Sequence, residues 1–105
     1  MPKKIIPIII ALLLGTSSYA ETIVVCASCD IKTIKEGVAI AAGFDTLLIK
    51  KGTYKEFNIQ ITKPLALIGE DYPIIDGEDK GEIITIVSDN VTIDGLFIIN
   101  VGTSY

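Results

Sequence analysis

Apolar and polar residues change their period three times along this chain. Ile5 to Leu14 is apolar throughout, interrupted only by Pro7. Thr22 to Val25 is a short β-type run, and Cys26-Ala-Ser-Cys29 follows it directly. From Ile31 to Ala42 the spacing becomes helical. Ile31, Ile34, Val38 and Ala41 or Ala42 fall near one face, with Lys32, Lys35 and Glu36 on the other. Thr33 and Glu36 have capping-box spacing, Asp30 is an equally good N-cap, and Gly43 supplies the stop. After Gly43 the period is two. Leu47 and Ile49, then Phe57, Ile59 and Ile61, then Leu65 and Leu67 alternate with polar or smaller neighbours. Ile74-Ile75, Ile83 to Val87, Val91 with Ile93, and Leu96 to Ile99 continue the strands to Asn100.

The strands repeat. Leu65-Ala-Leu-Ile-Gly69 matches Val91-Thr-Ile-Asp-Gly95, and Ile74-Ile75-Asp76 matches Ile98-Ile99-Asn100, giving a period of about 24 to 26 residues. Short strands in each period, separated by Gly, Asp or Asn, predict a right-handed parallel β-helix, an all-β solenoid with the helix as its N-terminal cap. Asp and Asn at the corners tolerate unusual backbone angles, and Asp76 and Asp94 are placed near such corners. A small antiparallel sheet with accidental similarity is the alternative. No cap follows the strand that ends at Asn100, so the chain reads as a truncated opening of a longer protein.

The first segment has its own logic. A basic start at Lys3-Lys4, an apolar run of about ten residues and a small-residue end at Ser18 and Ala20 match a secretory signal peptide. The run is well short of the ~20 residues that span a membrane. Residues 1–20 are therefore read as a signal peptide cleaved after Ala20, and 21–105 as the cap and first turns of the solenoid domain. No membrane span is expected after cleavage, in an exported compartment where disulfides form.

Charge and composition narrow the chemistry. All thirteen acids lie after residue 20, against seven Lys there, so the remainder carries 7 − 13 = −6. This argues against a nucleic-acid partner or an anionic membrane surface. The chain has no His, which removes Ser/His and Cys/His catalytic pairs.

Cys26 and Cys29 are the first candidates for chemistry. Two thiols at this spacing suit a soft metal such as Cu(I), or form a disulfide, or take a redox role. The acidic stretch of Glu70, Asp71, Asp76, Glu78, Asp79 and Glu82 is read as solvated loop and turn-forming Asp-Gly pairs, the alternative being Ca²⁺ binding or acid/base work. No catalytic residue is assigned. Tyr54 and Phe57 are read as core or edge aromatics.

Several phrases together resemble known proteins. Ile34-Lys-Glu-Gly-Val38, Phe44-Asp-Thr-Leu47 and Gly52-Thr-Tyr-Lys-Glu56 look like the opening of pectin-lyase-like β-helix proteins, with Phe44 where a Gly is commoner. Ile61 to Glu70, Pro73 to Gly77 and Asp89 to Leu96 are similar to the NosD-type maturation proteins of nitrous oxide reductase. That resemblance implies a periplasmic, non-enzymatic accessory protein for the copper centre, with a binding or scaffold role. Its partners would be nitrous oxide reductase and a copper/sulfur delivery ABC transporter. It also strengthens copper as the ion for Cys26 and Cys29. The competing expectation on the same fold is a polysaccharide lyase or glycoside hydrolase.

Overall fold

Ile, Leu and Val at alternate positions suit a pleated strand with one buried face, and the chain folds accordingly. The computed structural model describes residues 19–102. The apolar run at Ile5–Leu14 and Ser18, which the sequence reading assigns to a signal peptide, lie outside these residues. Strand β1 is Thr22–Val25, helix α1 is Ile34–Ile40 and β2 is Asp45–Ile49. Then come β3 (Thr53–Lys55), β4 (Ile59–Ile61), β5 (Leu65–Gly69) and β6 (Ile74–Asp76). The last three are β7 (Ile84–Ile86), β8 (Thr92–Asp94) and β9 (Phe97–Ile99).

Every pairing among these strands is parallel, and the three sheets run β1-β2-β5-β8, β3-β6-β9 and β4-β7. No sheet takes more than one strand from any pass of the chain. The path is therefore an all-β parallel β-helix of roughly three coils, as the repeat predicts. Stacking in register builds inward columns: Ile23, Leu47, Leu67 and Ile93 follow one another through the first sheet. Leu47 and Leu67 are fully buried, each contributing about 1.5–3 kcal/mol by leaving water.

The registers refine the expected period. Leu67 sits opposite Ile93, which is the predicted 26-residue match. The second predicted match is off by one. Ile75 pairs with Ile98 rather than Ile99, an offset of 23. Parity is the reason, because Ile75 is fully buried and a one-residue slip would turn every side chain of β9 to the opposite face. Between β2 and β5 the offset is only 20, as Asp45 pairs with Leu65.

The helix is shorter than the expected 31–42. Thr33 is the N-cap, its Oγ1 accepting from the Glu36 N–H at 3.0 Å. Ile31 is withheld from the helix by a parallel bridge to Val25, so Asp30 has no helix to cap. At the other end Ala41 is already extended (ψ 145°), two residues before Gly43. Ile34, Gly37 and Val38 are buried, and α1 packs against β1, β2 and β4 as the expected cap.

Corners follow the expectation in part. Asn58, Asp71, Asp79, Asn90 and Asn100 adopt positive φ, but so do Phe44, Tyr72 and Glu78. Asp76 and Asp94 close strands β6 and β8 instead. At the far end of the stack Ile86, Val87, Phe97, Ile98 and Val101 are 40–65% exposed, since no strand covers β7, β8 or β9 among the described residues.

Candidate functional site

The Cys26–Cys29 segment leaves β1 at the fully buried Val25 and turns back at once. Its backbone closes the turn. The Cys29 N–H donates to the Cys26 carbonyl at 3.2 Å, and the Cys26 N–H donates to the Ile31 carbonyl at 3.1 Å. Lys32 Nζ donates to the Cys29 carbonyl at 2.8 Å, bringing a positive charge to the loop. Ala27, Ser28 and Asp30 are exposed, and both cysteines are half-buried.

Cys26 and Cys29 are joined in a disulfide, with 5.0 Å between their α-carbons. Of the readings left open by the sequence, this is the one the structure holds. A disulfide sulfur offers no thiolate, so ligation of a metal by this pair requires reduction first. The donor set fits a soft ion only in that reduced state. Ser28 Oγ lies 3.5 Å from Cys26 Sγ. In the disulfide the hydroxyl alone carries a proton, so Ser28 is the donor.

Three members of the acidic stretch, Glu70, Asp76 and Glu78, make structural contacts. Asp76 accepts from the Asn100 amide and from the Glu78 N–H, each at 2.9 Å. These two bonds, the Asn100 one foremost, hold its carboxyl below the usual range. Glu70 meets Lys50 at 3.6 Å, and Glu78 meets Lys80 at 3.4 Å, both on the surface. Among the described residues, no group of three or more Cys, Asp or Glu is placed to hold a metal ion. No helix there is long and apolar enough to cross a membrane.

Two residues carry more than the sequence reading gave them. The Glu56 carboxylate accepts from the Ile34 and Lys35 N–H groups at 2.7 and 2.9 Å, closing the N-terminus of α1 from 22 residues away. Nothing local in the sequence signals this contact; only the resemblance pointed at Glu56, without its task. Tyr54 is buried, and its hydroxyl donates to the Lys50 carbonyl at 2.7 Å. Burial, and secondarily the Glu56 charge, push the Tyr54 phenol above its usual range.

Two open clefts flank the cap. The larger, about 460 Å³, runs between α1 and β4 and is lined by Lys35, Val38, Ala39, Gln60, Thr62 and Lys63 among others. Its lining has no carboxylate, so it contains no carboxylate pair. The smaller lies beside the half-buried Phe57, where the Lys35 and Lys80 ammonium groups stand 5.5 and 6.0 Å from the ring centre. The cysteine loop, for its part, carries its two sulfurs on an exposed turn whose backbone Lys32 holds. Compared with protein-family models, with curated proteins and with solved structures, the chain finds no match.

Proposed function

We propose that this chain is an exported, non-enzymatic accessory protein of the NosD type, acting as a binding scaffold in assembly of the copper centre of nitrous oxide reductase. In this reading the reduced Cys26 and Cys29 take one Cu(I) ion. The observation that carries it is the placement of two sulfurs on an exposed loop with their α-carbons 5.0 Å apart. Paired thiolates favour soft ions over the hard ions that carboxylates select. Stacked parallel sheets supply a stiff face on which a partner protein can dock. Nitrous oxide reductase and a copper/sulfur delivery transporter enter as partners, and the periplasm as location, through the sequence resemblance alone.

The test is an anaerobic Cu(I) titration of the intact, reduced chain beside a Cys26→Ser/Cys29→Ser double variant. One ion per chain, lost in the variant, is expected. Absence of binding by a chain shown to hold two free thiols overturns the copper reading.

A further inference from the structure

The Cys26–Cys29 disulfide does little to hold this fold together. Both sulfurs belong to one turn between β1 and α1, so the bond joins no two distant elements. The entropy that a cross-link removes from the unfolded chain grows with the loop it closes, and this loop is among the shortest possible. Its turn is also closed twice without sulfur, by Cys29 N–H to Cys26 carbonyl and by Cys26 N–H to Ile31 carbonyl. Ile31 in turn pairs with Val25, and Lys32 ties itself to the Cys29 carbonyl. The loop thus has its own framework, and the fold around it is built from Ile34, Val38 and Leu47.

From this we infer that Cys26–Cys29 is a reversible thiol–disulfide exchange centre whose partners are dithiols of other proteins. This goes beyond the copper reading, since exchange needs no metal. The two sulfurs are inequivalent. Ser28 donates a hydrogen bond to Cys26 Sγ, which stabilises the thiolate that Cys26 becomes when the bond breaks. The Lys32 ammonium, bonded to the Cys29 carbonyl, adds a positive charge to the same loop, and the better leaving group is left to decide which sulfur is attacked. A partner thiolate therefore attacks Cys29 Sγ. A sulfur–sulfur bond forms between partner and Cys29, the Cys26–Cys29 bond breaks, and its electron pair leaves on Cys26. The partner's second thiolate then attacks its own sulfur in the mixed disulfide, releasing Cys29 as thiolate. The partner loses two electrons and two protons, and this chain, once both thiolates take up protons, gains them.

The test equilibrates the intact chain with graded ratios of reduced and oxidised glutathione, with a metal chelator present and no denaturant. Thiols are then alkylated and counted by mass, with far-UV circular dichroism recorded alongside. Both sulfurs should reduce and reoxidise together while the β spectrum is unchanged. In a time course of reduction by glutathione under the same conditions, Ser28→Ala should slow reduction about fivefold, because the leaving thiolate becomes more basic. Cys26→Ser should accumulate a Cys29–glutathione mixed disulfide. The inference is overturned if the sulfurs resist glutathione until denaturant is added, or if reduction collapses the β spectrum. An unchanged rate in Ser28→Ala overturns the assignment of Cys26 as leaving group. Because copper is excluded, failure here is separate from failure of the Cu(I) titration.

Discussion

Phe44 occupies a backbone conformation that its side chain disfavours. Its φ is 69°, it is 67% exposed, and its N–H donates to the Pro64 carbonyl. Left-handed backbone costs an L-residue with a bulky side chain about 1–2 kcal/mol, whereas Gly enters it freely. The resemblance to β-helix openings marks this position as one that suits Gly, and the dihedral is one that Gly adopts freely. Phe44→Gly is therefore expected to raise stability by about 1 kcal/mol, less whatever the added freedom of the unfolded chain removes. Urea unfolding by circular dichroism measures it, and a lower midpoint in the variant would contradict the strain. Gly69 shows the opposite constraint. A Cβ there would collide with the carbonyl of Gly95, stacked on it in the next coil. The 26-residue spacing of these two glycines made that stacking readable from the sequence, because identical phases of a repeat fall on top of one another.

Among the elements, legibility tracked periodicity. Strands β4, β5 and β8 alternate cleanly and were readable. Strand β3 was not identified as a strand, because Tyr54 is its one buried residue and Thr53 and Lys55 are exposed. Helix α1 was readable as an amphipathic segment. Its limits were not, because Ile31 goes to a bridge with Val25 and Ala41 turns extended, both decided by packing rather than propensity. Of the candidate site, the cysteine pair was visible, but its oxidation state depends on how the loop folds. The partnership of Glu56 with α1 was invisible because it spans a whole coil. Its carboxylate satisfies two amides of a seven-residue helix and opposes the positive end of the helix dipole. Glu56→Gln should cost about 1 kcal/mol, the scale of a lost cap. It should also speed hydrogen exchange at the Ile34 and Lys35 amides more than at Leu47. Equal protection in both proteins would show that the charge is dispensable.

Across the whole molecule, two carboxylates join successive passes of the chain. Asp45 is 6% exposed and accepts from the Glu21 and Ala42 N–H groups at 2.9 Å each, so it ties the entry to the first coil. Asp76 ties the second coil to the third through Asn100. Hydrogen bonding holds both below the ordinary value of 3.8, through Glu21 first for Asp45 and Asn100 first for Asp76. The unfolded chain therefore takes up protons before the native one as pH falls. Their stabilisation is present above the unfolded value and is lost as pH drops through the folded ones. The urea midpoint should change little from these groups between pH 7 and about 5, then fall below about 4. An Asp45→Asn/Asp76→Asn variant should start lower at neutral pH and fall less steeply; parallel curves would sink this account.

The Glu56 contact also sets an order of events in time. A chain delivered from its N-terminus presents residues 34–40 well before residue 56. A helix of seven residues is marginal by itself in water, and its leading amides have to wait for a carboxylate still to emerge. The cap, delivered before the coils it covers, is thus completed only after β2 and β3 have followed it, and a pause before Glu56 would leave the start of the solenoid unfinished.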